Sequence, residues 1–319
     1  MGHLGGGSQG LNAVSASNMA TQDFMRARSR ELIHRILSVL SGGRDRLLPF
    51  QEVTSMLKPG AETFVGVRPV RLDRIVGSEG RYRDFTRNFL PRSRHLKSRW
   101  VRVDIAHHRD IQLPPIRVYE IGGAYFVRDG NHRVSVAKAQ EREFIDAEVT
   151  SLHTEIRIDT DTSLETLRRR VIEYEKRRFF DETGLDRLRP RGKLDFTSPG
   201  RFDEVRTQIE EHRQCLKEKE AERRRPIGEE EAMLCWYDEV FFPAITIIEE
   251  ERILSRFPGR TAADLFIWMS RHAEELRKRY GDPSSSKAAV RDFSRRYGLS
   301  LLQRLAHWIT GPFTDRRDR

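Results

Sequence analysis

The sequence predicts an α+β protein, with a small mixed sheet between an N-terminal helix and a mostly α-helical C-terminal half. Two hydrophobic patterns support this fold class. Alternating apolar residues flank Gly122-Gly123, which is the pattern of a β-hairpin closed by a two-residue turn. After Leu152 the apolar residues recur every three or four positions, which is typical of amphipathic helices. The sheet is therefore expected in the first half of the chain.

The first 60 residues are expected to precede the sheet. Residues 1–22 are rich in Gly, Ser and other small residues, and we interpret them as a flexible leader. Residues 23–60 form an N-terminal helical segment, because residues 23–40 place apolar side chains at helical spacing before Gly42-Gly43. We expect this apolar stripe to pack on the next domain: Met25, Leu32, Ile33, Ile36, Leu37 and Leu40.

The sheet domain is predicted to cover residues 61–152. Val70, Leu72 and Ile75 indicate its first strand, and residues 100–105 indicate a second strand with alternate apolar residues on one face. The hairpin around Gly122-Gly123 supplies two more strands. A helix over residues 132–140 and a short strand over residues 144–149 complete the domain.

The turn Asp129-Gly130-Asn131 connects the second hairpin strand to the helix that follows it. Gly130 can adopt a positive φ, and Asp129 or Asn131 can cap the helix. The first backbone N–H groups of a helix lack partners, and they point with the positive end of the helix dipole toward whatever lies beside them. Arg133 adds a fixed positive charge that can grip two phosphate oxygens. The segment therefore predicts a phosphate-binding site.

Four features of residues 67–152 together resemble the ParB/sulfiredoxin superfamily. They are Leu113-Pro114-Pro115-Ile116, the hairpin, the Asp129-Gly130-Asn131-His132-Arg133 turn, and the Ile145-Asp146-Ala147 strand. The resemblance implies a ParB/sulfiredoxin-like domain that places a Gly-x-x-Arg segment on nucleotide phosphates. It also implies a nucleoside triphosphate, ATP or CTP, as the bound nucleotide.

The branches of this superfamily differ in the turn, and the differences direct the functional prediction. Sulfiredoxins carry a catalytic cysteine where this chain has Asn131, so thiol chemistry is not expected. ParB partition proteins carry Arg-Arg and continue into a helix-turn-helix domain, for which this sequence shows no convincing counterpart. The free-serine kinases share the Asp-Gly-x-His-Arg spelling, which implies ATP-dependent phosphoryl transfer or nucleotide hydrolysis as an extension of binding.

The resemblance assigns a role to each residue of the turn. Gly130 and Asn131 shape it, Arg133 holds phosphate, and His132 contacts phosphate or assists transfer as a catalytic residue. Asp129 is the second catalytic candidate and a ligand for Mg²⁺ bridging the phosphates. The alternative is a purely structural role: Asp129 would form the turn and cap the helix, and His132 would cap the helix or pack in the core.

The segment after the first strand helps to close the nucleotide pocket in the resembling family. By that resemblance the further nucleotide-binding candidates are Arg81 and Arg83, with Glu79 and Asp84 beside them. No acidic catalytic base is assigned.

A second class of function, a nucleic-acid-associated regulator, rests on residues 81–102. This segment holds eight Lys or Arg residues against the single acid Asp84, with aromatic residues interleaved. The net charge of +10 also favours polyanionic partners such as DNA or RNA. Arg92, Arg94 and Arg99 are the contact candidates. The aromatic side chains are expected to anchor the segment to the core.

The rest of the chain is predicted to be helical, as a charged region over residues 153–226 and a C-terminal region over residues 227–319. Thr162-x-x-Glu165 predicts a capping box, and Thr261 with Asp264 is expected to open a later helix. Two final helices are predicted at residues 287–297 and 301–309. The last region resembles a helical region that accompanies this kind of domain in uncharacterised bacterial proteins, and it would serve a homo-oligomer.

Composition excludes several other classes. The chain is 37% hydrophobic and 33% charged, and no apolar run approaches the ~20 residues of a membrane span, so membrane insertion is not expected. Two cysteines cannot form a metal cage and fit a reducing, cytoplasmic location. His107-His108 is expected to lie in an exposed loop, because adjacent histidines rarely face one ion and no third ligand is at a telling spacing.

Overall fold

The computed structural model of the protein describes residues 7–40, 46–190, 193–220 and 227–280. The chain divides into two compact units, Met1–Leu167 and Arg168–Arg319. The first unit thus contains both the N-terminal helix and the sheet.

The first unit is a mixed sheet of six strands with four helices among its described residues. In chain order its elements are α1 (Gly7–Leu40), β1 (Leu48–Pro49), α2 (Phe50–Leu57), β2 (Glu62–Arg71), β3 (Ile75–Ser78), α3 (Lys97–His108), β4 (Ile116–Ile121), β5 (Ala124–Asp129), α4 (Asn131–Ala139) and β6 (Phe144–Leu152). The strand order is β1-β3-β5-β4-β6-β2. The predicted α+β class is confirmed.

Strand pairing in the sheet is both parallel and antiparallel. Strands β4 and β5 form the predicted antiparallel hairpin across Gly122-Gly123, and β2 pairs antiparallel with β6. Strand β5 is parallel to β3, and β4 is parallel to β6. Strand β5 therefore lies inside the sheet, and its carboxyl end delivers the turn that starts α4.

The core of the first unit lies between the sheet and α4. Apolar residues that alternate along the strands are buried there, as the sequence pattern predicts. Val134 and Ala137 of α4 cover the same core. The strand residues of this cluster are Val70, Ile75, Ile116, Val118, Val127, Ala147 and Val149.

Two predicted strands have a different structure. The segment Val70 to Ile75 is interrupted by a 3₁₀ turn at Leu72–Arg74, so it belongs to two strands, β2 and β3. Residues 100–105 lie in the helix α3 and not in a strand, which corrects the prediction. The helix places Trp100 and Asp104 on one buried face at i and i+4, where the Trp100 ring meets Phe24 edge-on at 5.6 Å between centroids.

The N-terminal helix is longer than predicted and buries another face. It begins at Gly7, so residues 7–22 are helical rather than a flexible leader. Met25, Leu32 and Ile33 are exposed, which corrects the predicted apolar stripe. The buried face consists of Ala16, Ala20, Phe24, Ala27 and Glu31. The side chains of Ile36, Leu37 and Leu40 lie outside the described part of the chain.

The buried face of α1 tolerates a carboxylate because two arginines neutralise it. Glu31 is fully buried and accepts hydrogen bonds from Arg28 at 2.6 Å and from Arg35 at 2.6–2.9 Å. Small alanines on the same face allow close approach to α3. Helical periodicity alone favours the bulky apolar residues and so predicts the wrong face.

The second unit is helical in its described residues. Its elements are the remainder of α5 (Leu164–Thr183), α6 (Leu185–Leu188), α7 (Arg201–Glu220), α8 (Glu229–Trp236), a π-helical turn at Tyr237–Phe241, α9 (Phe242–Glu250), a 3₁₀ turn at Ile253–Arg256 and α10 (Ala262–Tyr280). A cluster of aromatic and aliphatic residues forms its core, with Trp236, Phe241 and Phe266 fully buried.

The predicted helix starts in this half are confirmed at one position and corrected at another. The Asp264 amide donates to Thr261 Oγ1 and the Thr261 amide donates to Asp264, both at 3.1 Å, which is a reciprocal cap. At the start of α5 the cap is Ser163, whose Oγ accepts from the Thr166 amide, and not Thr162. The predicted helices at residues 287–297 and 301–309 lie outside the described residues. None of the described helices combines the length and hydrophobicity needed to cross a bilayer.

Candidate functional site

The turn between β5 and α4 requires glycine. Gly130 has φ of 105°, and a Cβ at this position would lie 2.5 Å from Ile116 Cγ2, which is closer than real contacts allow. Gly130 is the N-cap of α4 and provides no side-chain hydrogen bond to it. The N-cap is therefore Gly130 and not the predicted Asp129 or Asn131, and no cap side chain accepts a hydrogen bond from the first amides of α4.

The first two residues of α4 carry buried polar atoms without partners. Asn131 is 7% exposed and His132 is 6% exposed. Asn131 Oδ1 and His132 Nδ1 are fully buried and have no hydrogen-bond partner within the described residues. A buried polar atom left unsatisfied costs about 1–3 kcal/mol, and such atoms in native proteins are rare. Two such atoms therefore lie at the start of one helix.

Positive charges surround His132. Burial, followed by the guanidiniums of Arg99 and Arg81, lowers the pKa of His132 to about 4, while Asp84 acts in the opposite direction. The ring packs edge-on against Phe85 at 5.4 Å between centroids. His132 is therefore neutral at pH 7.

Arg133 is engaged by protein groups. Its side chain is 14% exposed, and its guanidinium donates to Asp129 Oδ2 at 2.7 Å, to the Pro115 carbonyl at 3.0 Å and to the Pro114 carbonyl. Arg133 thus joins the Pro114-Pro115 segment to the turn, and its contact with phosphate stays a prediction. Asp129 is 60% exposed at its side chain and shares one carboxylate oxygen with Arg133.

Arg81 and Arg83 are the two other predicted nucleotide contacts, and the structure places Arg81 near the turn. The Arg81 amide donates to Ser78 Oγ at 3.3 Å, and the Arg81 guanidinium pairs with Asp84 at 3.0 Å near His132. Arg83 instead lies over the ring of Tyr82, with 5.5 Å from its guanidinium carbon to the ring centroid. Arg81 is therefore part of the candidate site.

The predicted nucleic-acid contacts lie in different environments. Arg94 and Arg99 are exposed, and neither makes a hydrogen bond or an ion pair with another described residue. Arg92 is half-buried, and its Nε is fully buried. Arg99 acts on the pKa of His132, so the nucleotide and nucleic-acid hypotheses share this side chain.

Several residues that support the site were missed by sequence reasoning. Ser135 Oγ donates to the Phe89 carbonyl at 2.6 Å and accepts from Trp100 Nε1 at 2.9 Å. These two hydrogen bonds connect α4 to α3 and to the basic residues 81–102. Lys138 donates to the Ile75 carbonyl at 3.3 Å, and burial lowers its pKa to about 8. The aromatic anchors predicted for the segment are confirmed, since Phe85, Phe89 and Trp100 are fully buried.

Two clefts open on the surface of the first unit, and neither is lined by the first two residues of α4. One of about 470 Å³ is lined by His107, Pro114, Arg133, Arg142 and Phe144 among others. The other, of about 540 Å³, lies at the hairpin turn and includes Glu120, Gly122 and Ser151. The structure thus shows the groups of the predicted phosphate site without assigning either cleft to it.

His107 and His108 lie in the last turn of α3, not in the predicted exposed loop. Two carboxylates are close to His108 in space, one of them near in sequence and one distant. Asp104 lies one turn earlier on α3, and Asp23 lies on α1.

Comparison of the chain with protein-family models, with curated proteins and with solved structures finds no match.

Proposed function

We propose that the start of α4 binds the phosphate groups of a nucleoside triphosphate, ATP or CTP, in a domain of the ParB/sulfiredoxin-like type. One observation supports this above the others. Two fully buried polar atoms, Asn131 Oδ1 and His132 Nδ1, lack partners at an uncapped helix start that Arg81 and Arg99 make electropositive. An anion with several oxygens can accept hydrogen bonds from the first amides of α4 and from His132 Nδ1 when that nitrogen carries its proton, whereas Asn131 Oδ1 is an acceptor and requires a donor such as a hydroxyl group of the ligand.

Each group then has a role that its surroundings permit. Gly130 lets the backbone approach the phosphate, and the first amides of α4 donate to it. The Arg81 and Arg99 guanidiniums provide the charge that Arg133, held by Asp129 and two carbonyls, does not. His132 is neutral and serves as a hydrogen-bonding group rather than as a charge.

Mg²⁺ fits this proposal as the ion that accompanies a triphosphate. Asp129 is the candidate ligand, because its carboxylate is 60% exposed and only its Oδ2 contacts Arg133. When bound, the ion would neutralise phosphate charge. The chain's own residues would bind and orient the phosphates.

Binding is the activity that the geometry supports best. An imidazole with a pKa of about 4 is a weak base, and the carboxylate beside it is paired with Arg133. Nucleotide hydrolysis or phosphoryl transfer is the extension that the resemblance to the free-serine kinases implies. Release of inorganic phosphate from ATP and CTP, with and without added serine, tests that extension separately.

Isothermal titration of the full chain with ATP, CTP and GTP, with and without Mg²⁺, tests the binding proposal. We expect saturable 1:1 binding of one or more of these nucleotides. Arg81→Ala and Arg99→Ala each remove one charge-assisted contact, worth about 1.5–3 kcal/mol, and so weaken binding by roughly tenfold to a hundredfold.

Arg102→Ala is the matched control for this titration. Arg102 is exposed on the same helix as Arg99, and it is not among the charges that shift the pKa of His132. It should leave nucleotide affinity unchanged. Equal weakening by all three substitutions would indicate nonspecific attraction to a basic surface, and an absence of binding by the wild type would reject the proposal.

A nucleic-acid-associated function is the second candidate, and one observation favours it. Arg94 and Arg99 are exposed and make no ion pair with another described residue, so both are available to phosphates. Affinity for DNA or RNA should then fall steeply with salt. Neutralising Arg94 should reduce the slope of log affinity against log salt by about one.

Besides a nucleotide, we propose a second copy of the chain as a partner, bound through the helical half. Its support is the amphipathic pattern of the second half of the sequence. Light scattering of the full chain over a range of concentrations measures the mass, and a monomer at all concentrations would reject it.

A further inference from the structure

Three oxygen- and nitrogen-bearing side chains meet between α1 and α3, apart from the candidate phosphate site. Asp23 comes from α1, and Asp104 and His108 come from successive turns of α3. One ligand atom from each lies within 4.8 Å of the other two. His108 Nε2 is 3.2 Å from Asp23 Oδ2 and 3.4 Å from Asp104 Oδ2. The i and i+4 spacing on α3 explains why Asp104 and His108 share one face.

The buried carboxylate of Asp104 makes this cluster more than a surface ion pair. Its side chain is fully buried, and Oδ1 accepts a hydrogen bond from Gln140 Nε2 at 2.8 Å. Oδ2 is buried and has no hydrogen-bond partner among the described residues. His108 Nε2 lies 3.4 Å from this oxygen, within ion-pair range. Burial raises the pKa of Asp104.

We propose that Asp23, Asp104 and His108 form a binding site for a divalent first-row transition-metal ion. Two carboxylates and one neutral imidazole supply the oxygen and nitrogen donors that Zn²⁺ and Mn²⁺ accept in proteins. The charge of −2 on the carboxylates matches the charge of the ion. Three protein ligands leave positions for water, because Asp23 and His108 are 28% and 24% exposed at their side chains.

Neighbouring side chains already orient two of the three ligands. Gln140 of α4 holds Asp104 Oδ1 and thereby directs Oδ2 into the cluster. Arg26 donates to Asp23 Oδ1 at 3.2 Å and leaves Oδ2 facing His108. Such outer contacts fix the geometry of metal ligands, and their loss typically lowers metal affinity ~10-fold to ~100-fold.

A bound ion would link the N-terminal helix α1 to the helix α3. Asp23 and His108 are 85 residues apart in sequence, so a shared ion links two distant segments. The competing occupant is a proton, since a charged His108 could bridge the two carboxylates without metal. Metal titration distinguishes the two occupants, because only a metal site takes up one metal ion per chain.

Calorimetric titration of the chelator-treated full chain with ZnCl₂ and MnCl₂ tests the site. We expect saturable binding of one ion and a rise in the thermal unfolding midpoint on addition of metal. His108→Ala and Asp104→Asn should each remove this binding, and Gln140→Ala should weaken it ~10-fold to ~100-fold. Asp104→Asn preserves the side-chain shape, so far-UV circular dichroism and the metal-free midpoint separate loss of a ligand from loss of folding.

Two control variants isolate the cluster. His153→Ala removes an exposed histidine of the same unit and should bind metal as the wild type does. Cys235→Ser removes the thiol that lies 3.3 Å from His212, a pair that also attracts zinc. One-to-one binding that survives in Cys235→Ser and is lost in His108→Ala supports the proposal. Binding that is equal in wild type and His108→Ala, or absent from the wild type, would overturn it.

Discussion

The buried imidazole at the start of α4 predicts how the stability of the protein changes with pH. His132 has its pKa lowered from 6.5 to about 4 in the folded chain, chiefly by burial and then by Arg99 and Arg81. Between these two pH values the unfolded chain binds a proton at this residue and the folded chain does not. The stability contribution is therefore fully present above pH 6.5 and is lost as the pH falls toward 4.

The size of this loss follows from the two pKa values. Each unit of difference between the folded and unfolded pKa is equivalent to about 1.4 kcal/mol, so the whole interval gives up to about 3 kcal/mol. Replacement of His132 by Gln keeps a polar side chain and removes the titration. We expect the free energy of unfolding of the wild type to fall by up to about 3 kcal/mol more than that of His132→Gln between pH 7 and pH 4.

Urea denaturation of both proteins at half-unit pH steps measures this difference. Other groups titrate in the same interval, and the comparison between the two proteins cancels their effect. His153→Gln, which alters an exposed histidine, is the control and should follow the wild type. Parallel curves for wild type and His132→Gln would refute the assignment of His132 as a buried, neutral group.

Three further substitutions test how the site is built, each by the midpoint of urea denaturation at pH 7. Gly130→Ala should destabilise the protein by about 3 kcal/mol, because φ is 105° and the new Cβ would meet Ile116 at 2.5 Å. An unchanged midpoint would contradict the required left-handed turn. Ser135→Ala should cost about 2 kcal/mol by leaving the buried indole N–H of Trp100 without its acceptor. Equal stability would mean that this hydrogen bond is replaced. Arg133→Ala should cost about 2 kcal/mol through its lost bonds to Pro115 and Asp129, and an effect on nucleotide affinity without loss of stability would restore Arg133 as a direct phosphate contact.

Local sequence signals predicted the part of the fold that brings the turn to the sheet. Gly122-Gly123 fixes the hairpin because both glycines have positive φ, and Gly130 does the same for the start of α4. These conformations depend on the residue itself and its immediate neighbours. For that reason the hairpin, the turn and the following helix could be predicted without knowledge of the rest of the chain.

The helix α3 could not be predicted in this way, because its local pattern resembles a strand. Val101, Val103 and Ile105 alternate with charged residues, as in a strand. The preference of β-branched side chains for strands is weak, however, and depends on their surroundings. Packing of Trp100 against Phe24 and its hydrogen bond to Ser135 favour the helix instead. Tertiary contacts thus override the local preference.

The roles of individual charges also depended on contacts between distant segments. The sequence places Arg133 beside the turn, but its guanidinium donates to the carbonyls of Pro114 and Pro115, which lie 19 and 18 residues earlier. Arg99 lies 33 positions from His132 in sequence and nevertheless acts on its pKa, because α3 packs beside α4 through Trp100 and Ser135. Sequence spacing could nominate these cations but could not choose among them.

The most direct test of phosphate binding at the start of α4 is NMR spectroscopy of the His132 imidazole during addition of ATP or CTP. Long-range ¹H–¹⁵N correlation reports the protonation and the hydrogen bonding of each ring nitrogen. A polyanion at the helix start should shift the His132 signals saturably and raise the pKa of His132 above about 4, since a nearby negative charge favours the protonated ring. Nucleotide binding that leaves the His132 signals and its pKa unchanged would contradict the location that we propose for the phosphates.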